Sequence, residues 1–189
     1  MRRLISLVVL VNIFLILGCA TPSIKEKYST DFDITQVKSV AVFPFTETYS
    51  DATQLQGFDN RNSLRYEAID ILSMELMDSR IKVLERIFLD KILEEQKLSL
   101  TGIMEQDSYD DIGKILKVDL IITGNISLSK SMGNRSGTIS ARAIDTVTGK
   151  VVYTAYAKMG DPWGGLNISN FREALISSVG KKLVKYFNK

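Results

Sequence analysis

The one cysteine of this 189-residue chain follows directly after an apolar segment, where its thiol is open to covalent modification. The segment from Leu4 to Leu17 is nearly all apolar, Arg2 and Arg3 precede it, and Gly18 separates it from Cys19. A basic start, a short apolar run and a small residue at a cleavage point are typical of a secretory signal peptide. Cleavage after Gly18 would leave Cys19 as the first mature residue, with a thiol and a free amine that can both take acyl chains.

This pattern favours a bacterial lipoprotein signal over two alternatives. The first is an ordinary signal peptide with an incidental cysteine, and the second is an uncleaved N-terminal anchor helix. The apolar run is short for such a helix, because a membrane span needs about 20 residues. Two or three acyl chains hold a protein stably on a bilayer. We therefore predict a signal peptide over residues 1–18 and a lipid anchor at Cys19. Lipoproteins with Asp after the cysteine are commonly kept at the inner membrane, so by that resemblance Ala20 favours the periplasmic face of the outer membrane.

A second pattern with chemical potential is Ser178-Val179-Gly180-Lys181, which has the serine–lysine spacing of penicillin-interacting enzymes. It lies late in a predicted helix, and the Ser-Asp-Asn and Lys-Thr-Gly motifs of those enzymes are missing from the sequence. Glu85 and Arg86 form a charge pair at a strand–helix junction, which is best explained as a structural pair. The chain has no histidine, which excludes His-dependent triads and most zinc sites. We therefore predict no enzyme activity, no cofactor and no metal.

Composition limits the remaining classes of function. The predicted mature chain has equal numbers of basic and acidic residues, because Arg2 and Arg3 leave with the signal peptide. A chain of zero net charge supplies no general field for neutralising phosphates, so we expect no nucleic-acid partner. With Cys19 lipidated, no thiol remains for a disulfide, and a hydrophobic content of 45% is enough for a packed core.

Apolar periodicity predicts one α/β domain over residues 37–189, with a lipidated cysteine and tether over residues 19–36. The predicted order of elements is β-α-β-α-α-β-β-β-α. Strands are predicted at Val37 to Phe45, Ile81 to Glu85, Asp119 to Ser127, Thr138 to Asp145 and Val151 to Lys158. Helices are predicted at about Asn62 to Asp78, Ile87 to Lys97, Ser108 to Lys117 and Ser169 to Phe187. Alternating strands and helices followed by a hairpin imply a mixed β-sheet packed by helices.

Two predicted loops carry aromatic side chains. Tyr49 and Phe58 lie in a polar segment from Thr46 to Asn60, and Trp163 lies in a second segment from Gly160 to Gly165. Aromatic residues on loops can anchor protein interfaces. They can equally fold back over a sheet edge, and both interpretations stay open. The sequence thus offers Tyr49, Phe58 and Trp163 as candidate contact residues for a partner.

Five short stretches occur in a characteristic order. They are residues 40–45 (VAVFPF), 82–86 (KVLER), 89–96 (LDKILEEQ), 118–124 (VDLIITG) and 141–150 (ARAIDTVTGK). Together they resemble the CsgG-like curli-assembly lipoprotein family, whose relatives include penicillin-binding protein activators of the LpoB type. The similarity covers about Val37 to Phe187, and it implies a CsgG-like periplasmic domain.

The resemblance is incomplete at two places. The curli member forms a ring-shaped pore through two long hairpin excursions, whose places here are Ser129 to Gly137 and about Met159 to Ile168. Each excursion needs strands of about 9–11 residues with alternating lipid-facing side chains. Neither segment is long enough, and neither alternates, so the sequence predicts the fold without the transmembrane hairpins.

The sequence therefore predicts a non-enzymatic outer-membrane lipoprotein that acts by protein–protein contact in the periplasm, in envelope or surface-structure assembly. The alternatives are a subunit of a CsgG-type secretion channel and an activator of a peptidoglycan synthase. The envelope partner is accordingly a secretion assembly, a surface appendage or a synthase, and homo-oligomer formation stays open. The predicted tether from Thr21 to Gln36 has 16 residues and reaches at most about 55 Å, which favours a partner near the outer membrane.

Overall fold

The computed structural model describes residues 21–50, 61–84, 114–131, 134–161 and 166–189. The strands of these parts are β1 (Ser23–Tyr28), β2 (Ser39–Val42), β3 (Thr46–Ser50), β4 (Lys82–Leu84), β5 (Leu120–Ser131), β6 (Asn134–Asp145) and β7 (Val151–Asp161). The helices described in full are α1 (Arg61–Leu76) and α2 (Ile168–Phe187), with a short 3-10 helix at Ile34–Gln36, and residues 114–116 are also helical. In these parts of the chain, no helix has the length and apolar content needed to cross a membrane.

The strands form one mixed sheet in the order β1-β7-β6-β5-β2-β4, with β3 also paired to β5. The pairs β2–β4, β2–β5 and β3–β5 are parallel, whereas β1–β7, β5–β6 and β6–β7 are antiparallel. A mixed sheet packed by helices is the predicted fold class, and it is confirmed.

β2 and β3 lie one after the other along the same edge of β5. β2 pairs with Leu120 to Ile122, and β3 pairs with Asn125 to Ser129. Pro44 lies between the two strands, and it has no backbone N–H to donate to a ladder. The predicted loop from Thr46 to Asn60 therefore begins as a strand, and its remaining residues, 51–60, lie outside the described parts.

Two segments predicted as irregular form strands instead. Within the predicted tether, Ser23 to Tyr28 form β1, which pairs with β7 from Lys158 back to Tyr153. The predicted loop from Ser129 to Gly137 belongs mostly to β5 and β6, which stay paired out to Ser131 and Asn134. Both predictions were wrong because these polar stretches lack apolar alternation, and pairing with a neighbouring strand determines their conformation. The predicted helix at 87–97 lies outside the described residues. Of the predicted helix at 108–117, residues 114–116 are helical as predicted, and residues 108–113 lie outside the described parts.

Both helices pack on one face of the sheet, and most of their predicted apolar positions form the core. Met77, predicted on the apolar side of the first helix, instead follows α1 and is 77% exposed. All of the following are buried: Ala68, Ile69, Leu72 and Leu76 of α1, and Phe171, Leu175, Val179 and Leu183 of α2. α1 and α2 also contact each other, and a side chain at Gly180 would meet Glu75 at 2.9 Å. The opposite face of β1, β7, β6, β5 and β3 carries the surface described next.

Candidate interaction surface

The predicted contact residues lie only partly within the described structure. Tyr49 lies in β3, where its backbone pairs with Leu128 of β5, so it does not belong to a loop. Phe58, Trp163 and Cys19 lie outside the described residues, and their roles stay predictions.

Ser178 has a structural role in α2. Its hydroxyl donates a hydrogen bond to the carbonyl oxygen of Leu175 at 2.6 Å, and its side chain is buried, whereas Lys181 is exposed. A serine hydroxyl that is buried and bonded to its own helix backbone is not placed to attack a substrate. Glu85 and Arg86 lie outside the described residues.

The aspartates of the two strand motifs stabilise the fold. Asp119 accepts hydrogen bonds from the backbone N–H groups of Lys38 and Ser39 at 2.8 and 2.9 Å, which joins the start of β5 to the start of β2. Asp145 accepts from the backbone N–H groups of Val147 and Thr148, both at 3.2 Å, within the turn from β6 to β7. Both carboxylates therefore satisfy backbone donors of their own fold.

These aspartates also line a cavity of about 360 Å³ at one end of the sheet. Asp33 lines it too and caps the 3-10 helix, where hydrogen bonds from the Thr35 hydroxyl, the Thr35 backbone and Gln36 lower the pKa of its carboxyl. Each of these three carboxylates has local donors. Within the described parts of the chain, no group of acidic, histidine or cysteine residues is arranged to hold a metal ion.

The face of the sheet opposite the helices is lined by rows of polar side chains. Residues directly opposite each other on paired strands point to the same face, so the register gives each row. The rows are Lys27, Thr154, Arg142 and Thr123; then Lys25, Tyr156, Ser140, Asn125 and Thr46; then Ser23, Lys158, Thr138, Ser127 and Thr48. All of these residues except Thr123 are half-buried or exposed. The side chains of these three rows are named the open face.

Charge on the open face is of one sign. Lys25, Lys27, Lys158 and Arg142 are all exposed, and Tyr156 stands among them with 39% of its surface exposed. The other members of the three rows are serine, threonine and asparagine, so no row carries an acid. A surface with four cations, many hydroxyls and no carboxylate attracts anionic groups.

β1 is fastened to the helical side through Glu26. The Tyr153 hydroxyl donates a hydrogen bond to Glu26 Oε2 at 2.9 Å, and Lys182 Nζ lies 3.4 Å from Glu26 Oε1. Burial raises the pKa of Glu26, but the bond from Tyr153 and the charges of Lys182 and Lys185 outweigh it and leave the pKa below its ordinary value. Burial, followed by the hydrogen bond to Glu26, raises the pKa of Tyr153. This cluster holds β1 in a fixed position on β7.

Aromatic rings extend the cluster to the end of β1. The Tyr153 ring stacks on Tyr186 with 4.5 Å between centroids, and Tyr28 lies 5.9 Å from Tyr186. Lys189 Nζ lies 3.8 Å from the centroid of the Tyr28 ring, which is a cation–π distance. The C-terminal end of α2 and the end of β1 are therefore packed together.

The sequence prediction missed the open face, although part of its signal was present. In β6, Thr138, Ser140 and Arg142 alternate with Ile139 and Ala141, which is the pattern of a strand with one buried and one solvated face. β1 has no comparable pattern, because Lys25-Glu26-Lys27 is charged at three successive positions.

Known proteins share this architecture. The family described as curli production assembly/transport component CsgG matches residues 29–160. A PelC dodecamer from Paraburkholderia phytofirmans is 12% identical, with 87% of this chain and 98% of that chain covered and a TM-score of 0.54. Lipoprotein GNA1162 from Neisseria meningitidis is 15% identical, with 78% and 99% covered and a TM-score of 0.54.

At these identities the two structures show a shared fold alone, and no match is found among curated proteins. The family match covers well over half of the sequence, from the end of β1 to the end of β7, and it includes all five stretches that carry the resemblance. The chain belongs to the CsgG family.

Proposed function

We propose that this protein is a non-enzymatic lipoprotein of the outer membrane that faces the periplasm and acts by protein–protein contact in envelope or surface-structure assembly. The observation that carries the proposal is the open face, a polar, cationic surface across five strands of a CsgG-family domain. Its residues stand on a paired sheet, so a partner would meet a surface that is already ordered.

The proposed anchor brings the sheet close to the membrane. β1 begins at Ser23, four residues after Cys19, so the chain between them reaches at most about 14 Å. Ser23 pairs with Lys158, which places the start of β1 near the end of β7. A partner of the open face would thus lie near the outer membrane.

Two short connections between elements favour a protein that acts by contact rather than a subunit of a secretion channel. Only residues 132 and 133 join β5 to β6, and residues 162–167 join β7 to α2. Neither connection has room for two inserted strands of about 9–11 residues. A channel subunit and a synthase activator stay as alternatives, and the identity of the crosslinked partner would distinguish them.

The first test is photo-crosslinking in living cells of the source bacterium. A photoreactive amino acid replaces Tyr156 on the open face, and the matched control replaces Met77, which is 77% exposed at the end of α1. We expect one defined envelope protein to crosslink through position 156 and not through position 77. Crosslinking through position 77 alone, or through neither position, would contradict the proposal.

The second test addresses the anchor. Metabolic labelling with a radioactive fatty acid should label the wild-type protein and leave Cys19→Ala unlabelled. Sedimentation of the labelled protein with outer-membrane fractions would support the localisation, and its recovery with inner-membrane fractions would contradict it.

Self-association is a second candidate for the contact. The PelC structure of the same fold is a dodecamer, and a homo-oligomer would place one copy against the next. Native mass spectrometry of the full-length protein in detergent measures this directly. A monomer at micromolar concentration would remove this candidate and leave contact with another envelope protein.

A further inference from the structure

We propose that the outer edge of β1 takes up an extended acidic segment of the partner protein, which adds to the sheet as a further strand. The inference rests on the proposed contact function and specifies the chemistry of the partner. Three features of β1 carry it: the edge that it leaves outside the β7 ladder, its fixed position and its lysines.

The edge of β1 presents backbone groups for pairing. β1 stands at the end of the sheet order, and within the described residues its ladder runs to β7 only. In an antiparallel pair, backbone groups turn alternately toward and away from the partner strand. The Ser29 N–H donates to the carbonyl of Val152 at 2.8 Å, so the alternation directs the backbone groups of Ile24, Glu26 and Tyr28 away from β7. Such a row of groups is a template for strand addition.

The edge is ordered before a partner arrives. The bond from Tyr153 to Glu26 and the ring contact of Tyr28 with Tyr186 tie the second half of β1 to β7 and α2, and the ladder to β7 runs along the whole strand. A fixed edge costs less conformational entropy to bind than a loop that must be ordered. These contacts lie on the helical side of β1, so they leave its outer edge clear.

Lysines determine which strand the edge accepts. Lys25 and Lys27 occupy alternate positions of β1 and point to the open face, and Lys158 and Arg142 follow on the neighbouring strands. A strand added beside β1 would place its own alternate side chains opposite these lysines, where acidic residues are favoured and basic ones repelled. Lysines on an edge also discourage pairing with apolar strands. The edge therefore rejects non-specific partners and selects an acidic one.

The test uses full-length protein in a nonionic detergent and fluorescent heptapeptides that alternate threonine with glutamate. Fluorescence anisotropy measures binding of this acidic peptide, of the same peptide with lysine for glutamate, and of the acidic peptide N-methylated at alternate residues. We expect the acidic peptide to bind, with affinity at least about tenfold higher than either analogue, because one loses charge complementarity and the other loses backbone donors.

Charge reversal on the protein completes the test. The variant K25E/K27E should bind the acidic peptide at least about tenfold more weakly and should gain affinity for the lysine peptide, since the sign of the edge is inverted. The matched control K150E/K181E reverses two exposed lysines outside the open face and should retain wild-type affinities. The inversion of preference distinguishes a charge effect from a loss of folding.

Five outcomes would overturn the inference. Equal binding of the N-methylated peptide would exclude strand addition, and unchanged binding by K25E/K27E would exclude the lysines. Binding to vesicles with phosphatidylglycerol, and not to the peptide, would assign the edge to lipid. If the wild type forms an oligomer and K25E/K27E does not, the edge would bind a second copy of this chain. If the peptide fails while crosslinking through position 156 persists, the contact function stands and this inference falls.

Discussion

The two faces of the sheet are built from the same strands and differ in almost every physical property. On the helical face, Ile126 is 1% exposed and Ile139 and Ala157 are fully buried. Their chain neighbours on the open face, Ser127 and Ser140, are half-buried and polar, on the side of the sheet away from α1 and α2. In this part of the sheet the helical face therefore supplies the core, and the open face is available for contact. Toward β2 both sides are buried, since Ala41 and Ile121 are 0% exposed and their chain neighbours are buried as well.

The family motifs belong to the stabilising part of the molecule. Gly124 allows Phe45 and the Ser140 carbonyl to approach closely, and Gly149 has a φ of 65°, a conformation that favours glycine. Asp119 and Asp145 bind backbone donors at the ends of strands. The motifs that identify the family thus identify its fold, and the partner must be inferred from other residues.

The largest expected difference in the free energy of unfolding is between substitutions of chain neighbours on opposite faces of the sheet. Ile126→Ala should lower the free energy of unfolding by about 3 kcal/mol, because it removes a buried side chain and leaves a cavity. Ser127→Ala, one residue along β5, should change it by less than about 0.5 kcal/mol. Urea denaturation followed by circular dichroism measures both. Similar losses in the two variants would mean that the open face is also packed.

A smaller effect is expected at Gly124. A methyl group there would clash with the Ser140 carbonyl oxygen and the Phe45 ring, so Gly124→Ala should cost about 2 kcal/mol of unfolding free energy. The matched control is Gly160→Ala, whose methyl group would have its nearest neighbour, the Arg135 carbonyl oxygen, at 4.0 Å. If thermal or urea unfolding shows equal losses for both, close packing is not what distinguishes Gly124.

The smallest effect concerns the cluster that fastens β1. The folded pKa of Glu26 lies below its ordinary value of 4.5, so its stabilisation is present above that pH and is lost as pH falls through the folded pKa. Glu26→Gln should lower stability at pH 7 by at most about 1 kcal/mol, since the pair is partly exposed and screened. It should also flatten the decline of stability below about pH 4.5. The control is Glu173→Gln, exposed on α2, and an identical pH profile for Glu26→Gln and the wild type would exclude the role of Glu26.

Apolar periodicity predicted the helices and strands correctly where an element buries one side. The predicted last helix matches α2 within one residue at its start, and its inward residues Phe171, Leu175, Val179 and Leu183 are all buried. β1 and β3 were missed because Lys25-Glu26-Lys27 and Thr46-Glu47-Thr48 show no apolar alternation. Such segments become strands through hydrogen bonds to a neighbouring strand, and that neighbour is not visible in local sequence.

The sequence by itself determined the mixed α/β class, and its five stretches indicated the family. It also determined the apolar sides of β5, β6, α1 and α2, because burial requires apolar residues at the period of each element. Only the tertiary structure decided that Lys25, Lys27, Lys158 and Arg142 share one face. More than a hundred residues separate the first two from the others. Their proximity follows from the antiparallel pairing of β1 with β7 and of β7 with β6, a long-range contact that no local pattern specifies.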